Sequence, residues 1–420
     1  MASAVEIVYP VCCGMDVHKS FIVACIATTD GYGQTTHLIR RFSTFTGDLR
    51  RLSNWLSTHK CKDVCMESTG KYWIPVFNIL EKTCNVNLTH PKYVKAIKGK
   101  KTDKKDAKWI AELFKCDLVR SSFIPPEDIR SLRDLCRYRA KITHATSSEK
   151  NRVQNCLTMC NFKLDDVFTD VFGKSGTRVL DALLEHGNGD FELSGLVDGR
   201  CKSSPEKIRA ALDGELDPAQ AEKLNLIRQH INGISTLKAT LERLIFKLST
   251  KFQPVIDLLM TVPGISSPLT AIRILAEIGA DMSVFETAKQ LTSWAGLTPQ
   301  NQESAGKRKT TRIGRAGAYL KPLLVQIALA VSKSNKHPEL KNKYLALKKR
   351  RGGKKAVIAI ARKLLTAIWH MLSKNEVYNA ELYRIADEPP AIRVITVDQA
   401  VAVMRSRGFL ILDEETGEVA

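Results

Sequence analysis

Four carboxylates stand at positions from which a folded chain can gather them into one site. Asp16 and Glu67 each end a short apolar run, and Asp103 and Asp106 follow in a lysine-rich segment. Because like charges oppose one another's ionisation, four converging carboxylates require a compensating cation. Mg²⁺ that also holds phosphate oxygens is the usual solution. The competing interpretation is that these acids are solvated turn residues.

A second group of reactive residue types lies far along the chain, within residues 296–317. Ser304 is followed by Ala-Gly and then by five cations, Lys307, Arg308, Lys309, Arg312 and Arg315. Small residues allow a close backbone approach, and cations at this density indicate a phosphate ligand. No aliphatic or aromatic run covers the segment, so we expect an exposed loop between helices. Ser304 is either one more phosphate contact or a nucleophile.

The acids need a sheet to position them, and the first ninety residues have the pattern of one. Apolar runs predict strands at residues 11–16, 20–27, 36–42, 63–67 and 85–90. Helical spacing predicts helices at 48–58 and 73–82. The order favours an α/β sheet, antiparallel on one side and with parallel crossovers on the other. The ends of adjacent parallel strands would then bring Asp16 beside Glu67, where such sheets bind ligands.

The other two acids are expected on one helix. A helix that starts near Thr102, whose hydroxyl can cap it, places Asp103 and Asp106 on one face near its positive end. Eight lysines lie within residues 92–108. We predict that five of them contact nucleic acid, namely Lys98, Lys100, Lys101, Lys104 and Lys105.

The rest of the chain is predicted to be helical, with domains at 1–125, 126–252, 253–376 and a tail at 377–420. The second region contains two long amphipathic helices, which either pack within the chain or form a dimerising coiled coil. The third is predicted to be all-α. Residues 261–266 suggest a helix-hairpin-helix turn that offers backbone N–H groups to a phosphate, or else a plain helix connection.

Charge indicates a polyanionic partner. The 420 residues carry a formal net charge of +20, and residues 307–363 hold eighteen Lys or Arg against one acid, Glu339. Helices expected near 338–350 and 354–374 would therefore contact DNA or RNA backbone. Solvated helix faces are the alternative.

Several protein classes are not expected. We find no run of about 18 apolar residues and no signal-peptide pattern, so a cytoplasmic protein without a membrane partner is predicted. The eleven cysteines lack zinc-site spacing and are interpreted as buried reduced thiols. Walker and dinucleotide fingerprints are absent from the sequence.

Motifs at both ends of the chain carry a family resemblance. The N-terminal ones are Gly14-Met-Asp-Val-His-Lys19, Met66-Glu-Ser-Thr-Gly-Lys71 and Lys101-Thr-Asp-Lys-Lys-Asp-Ala-Lys108. The C-terminal ones are Val262-Pro-Gly-Ile265, Ala295-Gly-Leu-Thr-Pro299, Glu303-Ser-Ala-Gly306 and Arg312-Ile-Gly-Arg-Ala-Gly317. Together they resemble the insertion-sequence-110 family of transposases, over residues 10–125 and 255–345.

The resemblance implies a specific fold and chemistry. The N-terminal domain would have the RNase H-like (RuvC-like) fold of Holliday-junction resolvases, with Asp16, Glu67, Asp103 and Asp106 as its Mg²⁺ ligands. Ser304 would be the nucleophile that attacks a DNA phosphodiester. The family also implies guidance by a non-coding bridge RNA that pairs with donor and target DNA. Its members work as homo-oligomers, dimers or tetramers, whose active sites combine two subunits.

Two other functions remain open at this point. A metal-dependent junction nuclease would use the same four carboxylates for hydrolysis and would form no protein–DNA adduct. A non-catalytic packaging protein would explain the charge but not the carboxylates, and Asp16→Ala would then change nothing measurable.

Overall fold

A computed structural model describes most of the chain. It leaves out residues 1–5, 68–69, 92–93, 95–101, 188–190, 300–301, 305–306, 311, 382–395, 411 and 413–420, and gives only the backbone of 302–304, 307–310 and 397–398. The chain divides into two compact units, Met1–Ser249 (the N-terminal unit) and Thr250–Ala420 (the C-terminal unit). The finer division into four domains remains a prediction.

The N-terminal unit begins with the mixed α/β sheet that the sequence predicts. Its strands are β1 (Val11–Val17), β2 (Phe21–Thr29), β3 (Thr35–Ser43), β4 (Asp63–Glu67) and β5 (Asn85–Thr89). They are ordered β3-β2-β1-β4-β5 across the sheet. The first three are antiparallel, whereas β4 and β5 continue the sheet parallel to β1.

Three helices cover the two faces of this sheet. The helices α1 (Thr46–Thr58) and α2 (Trp73–Leu80) enclose one apolar core with Met15 and its neighbours. The helix α3 (Asp103–Lys115) encloses a second core on the opposite face, where Cys12 packs. Because side chains alternate along a strand, each face of β1 serves a different core.

Gly14 allows α3 to lie directly against β1. A Cβ atom at Gly14 would lie 2.3 Å from the backbone nitrogen of Ala111 and 2.4 Å from the carbonyl oxygen of Ala107. No side chain fits at such distances, so this position requires glycine. Cys12 contacts Ala111 as well, so α3 runs antiparallel to β1. The start of the helix therefore lies at the end of the strand.

The two predicted long helices are present, and they pack against each other within the N-terminal unit. They are α4 (Glu127–Met159) and α8 (Pro218–Ser249). Arg139 joins them through a salt bridge to Glu242, with an Nη2–Oε1 distance of 2.6 Å. Packing within the chain is thus confirmed, and a dimerising coiled coil stays a prediction.

The segment between these two helices contains helices of its own, although residues 173–204 are rich in Gly and Ser. Three short helices, α5 (Leu164–Val167), α6 (Lys174–His186) and α7 (Pro205–Ala211), enclose an apolar core with the end of α4 and the start of α8.

The C-terminal unit is mainly helical, as predicted. Its helices are α9 (Gln253–Met260), α10 (Pro268–Ile278), α11 (Ala288–Trp294), α12 (Leu320–Lys333), α13 (Pro338–Arg351), α14 (Gly353–Lys374) and α15 (Val397–Ser406). The turn between α9 and α10 contains Gly264, whose φ is +81°. A Cβ atom there would lie 2.5 Å from Val331 of α12, so this glycine faces the protein core.

The predictions of an all-α C-terminal domain and of a loop around Ser304 are wrong in one respect. Residues Gln302–Ser304 (β6) and Lys307–Thr310 (β7) form a two-stranded antiparallel sheet. Ser304 pairs with Lys307, so only two residues, one of them glycine, join the strands. Such short glycine-containing connections favour hairpins. The polar composition of the strands concealed this pattern.

Helix α14 is long and apolar enough to cross a membrane by length and composition alone. Its apolar side chains, including Ile360, Leu364 and Ile368, are buried inside the C-terminal unit. They pack against α11, α12 and α13. This packing is that of a core helix.

Candidate active site

Asp16 and Glu67 lie at the ends of adjacent parallel strands, as predicted, with Glu67 as the last residue of β4 and Asp16 as the last but one of β1. The parallel pairing of β1 with β4 reaches Met15 and Met66, the residues immediately before the two acids. On β4, Cys65 packs in the core under α3, so the alternation of side chains places Glu67 on the α3 face. The same alternation from Cys12 places Asp16 on that face too. Asp16 is only 8% exposed.

Helix α3 brings the other two acids to the same edge of the sheet. Thr102 caps the helix, as predicted, and its hydroxyl accepts a hydrogen bond from the backbone N–H of Lys105. Asp103 and Asp106 lie in the first turn. The close packing at Gly14 fixes this turn beside the end of β1, and the charges of both acids act on Asp16.

His18 belongs to this cluster, although sequence reasoning did not single it out. Its Nε2 atom lies 3.1 Å from Oδ2 of Asp16 and 3.5 Å from Oδ1 of Asp103. The signal that could have found it is its position two residues after Asp16 and immediately after β1, because a chain that stays extended there presents residues i and i+2 on one face.

Burial and charge oppose each other at Asp16. Burial raises the pKa of the Asp16 carboxyl, His18 lowers it through its charge and hydrogen bond, and the charges of Asp106 and Asp103 raise it again. The net effect is a raised pKa of Asp16, so the surroundings disfavour the ionised form of this carboxyl relative to the protonated form.

The residues present fit a divalent cation. One ligand atom each from Asp16, His18 and Asp103 lie within 4.8 Å of one another. A cation among them would offset the mutual repulsion of the carboxylates. Glu67 and Asp106 are both partly buried. Glu67 lies at the end of β4, the strand next to Asp16, and Asp106 lies in the first turn of α3.

The predicted nucleic-acid ligands near this site are only partly described. Lys104 and Lys105 are exposed in the first turn of α3. Lys98, Lys100 and Lys101 lie outside the described residues.

Ser304 lies in the C-terminal unit, as the last residue of β6. The side chains of Ser304, Lys307 and Arg308 are outside what the structure describes, whereas Arg312 and Arg315 are exposed just after the hairpin.

Two glycines fasten the base of this hairpin. A Cβ atom at Gly317 would lie 2.2 Å from the carbonyl oxygen of Ala295, and one at Gly296 would lie 2.7 Å from that of Ala316. Both glycines have positive φ angles, +71° and +67°. The Nζ of Lys321 donates to the carbonyl of Gly314 at 2.6 Å. The two family-like motifs that flank Ser304 are therefore packed against each other.

A large groove with a cationic lining occupies the C-terminal unit, and we call it the basic groove. Its volume is about 1420 Å³, and its apolar lining includes Leu347 and Ile358. The charged lining includes seven cations, Arg312, Arg351, Lys354, Lys355, Arg362, Lys363 and Lys374. These residues belong to the region that the sequence predicts to bind a polyanion.

Two family models match this chain, in the order in which the two kinds of site occur. A model of the DEDD transposase domain of the IS110 type, described as "Transposase", matches residues 13–162. A second model, described as "Transposase IS116/IS110/IS902 family", matches residues 256–345. The first match contains all four carboxylates, and the second contains Ser304.

Curated relatives agree with these matches. The chain is 33% identical over 121 residues to the transposase for insertion sequence element IS1111A of Coxiella burnetii. It is 34% identical over 131 residues to the pilin gene-inverting proteins of Moraxella bovis and Moraxella lacunata. These segments are 28% and 30% of this chain, and 33% and 39% of the relatives' own lengths. The two domain matches and these relatives together identify the chain as a member of the IS110 family of transposases.

Proposed function

We propose that this protein is a DNA transposase or recombinase that cleaves and rejoins DNA strands. The observation that carries the proposal is the acidic cluster at the end of β1, in a chain whose family match also contains Ser304. The strand order of the sheet supports the RNase H-like fold that the resemblance implies. We propose that Asp16, Glu67, Asp103 and Asp106 are its catalytic carboxylates.

The carboxylates would hold Mg²⁺ or a related divalent ion. When bound, such an ion polarises a phosphate and stabilises a leaving oxygen. Asp16 supplies a buried oxygen ligand, and Asp103 and Asp106 approach from the first turn of α3. Lys104 and Lys105, which are exposed on that turn, would contact the DNA backbone.

Ser304 would attack the phosphodiester itself. Its Oγ loses its proton and forms a bond to phosphorus, the bond from phosphorus to one deoxyribose oxygen breaks, and that oxygen takes up a proton and leaves as a hydroxyl. The phosphoserine keeps the energy of the phosphodiester, so a deoxyribose hydroxyl of another strand can reverse the step without an energy cofactor. Arg312 and Arg315 would neutralise charge in the transition state.

The partners follow from the same proposal. Donor and target DNA are the substrates, and a non-coding bridge RNA of the element guides them. Ser304 and Asp16 lie far apart in sequence and in different units, which agrees with a homo-oligomer, a dimer or a tetramer, whose sites combine two subunits. The basic groove would bind nucleic-acid backbone in the cytoplasm of the host cell.

The test is strand cleavage by Ser304→Ala. We expect the variant to bind DNA as well as the unaltered protein does, yet to lose cleavage and the covalent protein–DNA adduct seen on a denaturing gel. The matched control is Ser293→Ala, because Ser293 is an exposed serine outside the hairpin and its replacement should leave both cleavage and the adduct intact. If Ser304→Ala still cleaved DNA, the assignment of Ser304 as the nucleophile would be wrong.

A hydrolytic junction nuclease is the second candidate. It is favoured by one observation, namely that Asp16, His18 and Asp103 come together within the N-terminal unit alone. This candidate predicts free DNA ends, no adduct, and cleavage that survives Ser304→Ala but not Asp16→Asn.

A further inference from the structure

The imidazole of His18 is held in place by groups other than the acids. Its backbone N–H donates to the carbonyl of Phe21 at 2.9 Å, across the turn between β1 and β2. The imidazole packs on the ring of Phe21, with 4.5 Å between the ring centroids. The guanidinium of Arg41 lies 3.8 Å from the centroid of the same ring. The orientation of His18 is therefore set by the fold.

This orientation aims one nitrogen at two carboxylates. Nε2 lies 3.1 Å from Asp16 and 3.5 Å from Asp103. An ion with ligands at about 2.1 Å spaces those ligands ~3–4 Å apart. The nitrogen and the two oxygens thus have the separations of ligands to a shared ion.

We propose that His18 is a nitrogen ligand of this site and makes it select a first-row transition ion such as Mn²⁺ over Mg²⁺. The inference rests on the proposed function, which places a divalent ion among the carboxylates. Mg²⁺ is bound almost entirely through oxygen. Imidazole suits first-row ions such as Fe²⁺ and Zn²⁺, and Mn²⁺, although it also favours oxygen ligands, accepts a nitrogen ligand more readily than Mg²⁺ does. Carboxylates alone would discriminate less between the two ions.

The competing role for His18 is that of a neutralising partner. In that case the imidazole pairs with Asp16 and Asp103 only until an ion arrives, and then moves aside. Its nitrogen would form no bond to the ion, and its removal would alter the binding of Mn²⁺ and Mg²⁺ equally.

Pulsed electron paramagnetic resonance of Mn²⁺ on the full-length protein separates these roles. Electron spin-echo envelope modulation detects a directly bound ¹⁴N nucleus. We expect this modulation in the unaltered protein and its loss in His18→Ala. His37→Ala is the matched control, because His37 lies 2.5 Å from the carboxylate of Glu112 but outside the cluster. If His18→Ala is poorly folded by circular dichroism, His18→Asn replaces it.

Competition between the ions gives the second readout. For each protein, the Mg²⁺ concentration that displaces Mn²⁺ gives the ratio of the Mn²⁺ affinity to the Mg²⁺ affinity. We expect this ratio to be on the order of 10-fold lower in His18→Ala than in the unaltered protein. If Mn²⁺ binds and its binding requires Asp16, but no ¹⁴N modulation is seen, the role of His18 is overturned while the metal site stands. Failure of Mn²⁺ to bind, or binding unaffected by Asp16→Asn, would overturn the proposed metal site as well.

Discussion

The ionised side chain of Asp16 destabilises the folded protein. The carboxyl is almost buried and has two further carboxylates of α3 acting on it, with His18 as its hydrogen-bond partner. Groups held in such environments are commonly functional, because selection for stability alone would remove them. Asp16 is thus the residue at which stability and activity should separate most clearly.

We expect Asp16→Asn to stabilise the metal-free protein while abolishing metal binding. The raised pKa of Asp16 means that the penalty for its charge is absent below the usual pKa of 3.8. It grows as the pH rises through the pKa of the folded state. The variant should therefore melt higher at neutral pH, and each ~1 kcal/mol of the removed penalty corresponds to a rise of about 2–4 °C in a unit of this size.

The measurement is a pair of melting curves without divalent ions at several pH values. The difference between the proteins should shrink as the pH falls towards 3.8. A variant that melts lower than the unaltered protein at neutral pH would contradict the cost assigned to this carboxylate.

At the scale of elements, the contact between α3 and β1 decides whether the cluster forms. Gly14 lies two residues before Asp16 on one strand face, and the backbone it contacts lies one turn and more beyond Asp103. The same packing that closes the second core therefore sets the distance between the acids of β1 and those of α3.

We expect Gly14→Ala to destabilise the N-terminal unit by about 1–3 kcal/mol, the usual cost of overpacking a core. Its methyl group would meet the backbone of Ala107 and Ala111, so α3 must shift and carry Asp103 with it. Mn²⁺ affinity should fall as well, measured by titration at a temperature where the variant is folded. Gly47→Ala is the control, since no atom lies within 4 Å of its added Cβ. Unchanged stability in Gly14→Ala would show that α3 can move away from β1 at no cost, and this would contradict the prediction.

The sequence predicts elements well where one local signal dominates. The strands β1 and β4 are apolar runs with an acid at their end, and the hydroxyl of Thr102 marks the start of α3. Prediction fails where the signal depends on distant packing. Residues Ser283-Val-Phe-Glu286 have the pattern of a capping box, which by itself predicts a helix that starts after Ser283. The helix α11 instead begins at Ala288, and the hydroxyl of Thr287 accepts a hydrogen bond from the N–H of Gln290.

In the candidate site, too, local sequence patterns predict some features, whereas features that depend on distant packing are missed. The joint position of Asp16, Asp103 and Asp106 follows from strand and helix patterns. The role of His18 does not, because its contacts depend on the turn to Phe21 and on the approach of α3. The hairpin at Ser304 was missed because polar strands lack the alternation that reveals a buried face.

At the scale of the whole molecule, positive charge is most concentrated in residues 307–363 of the C-terminal unit, which hold eighteen Lys or Arg against one acid. The basic groove combines an apolar floor with cations from α13, α14 and the segment after β7. Such cations release counterions when they bind phosphates, and this makes affinity depend steeply on salt.

We expect the triple change of Lys354, Lys355 and Arg362 to Ala to lower the slope of log affinity for double-stranded DNA against log salt by about 2–3, because each phosphate that the protein no longer neutralises reduces the slope by ~0.9. The matched control is Lys348, Lys349 and Arg350 to Ala, which removes the same charge from exposed residues of α13 outside the groove lining. Equal slopes for the two variants would show that total charge, rather than the groove, governs binding.

The distribution of sulfur in the chain makes the two units separately addressable. None of the eleven cysteines, all of which are described, forms a disulfide, and eight of them are buried. Burial raises the pKa of Cys12 and of Cys65 to about 12, so these thiols react slowly with alkylating probes. The sequence has no cysteine after Cys201. With the partly exposed Cys116 and Cys201 replaced by serine, a dye at the partly exposed Cys84 and another at a cysteine introduced at the exposed Ser293 would report by energy transfer whether the distance between the two units changes when DNA is added.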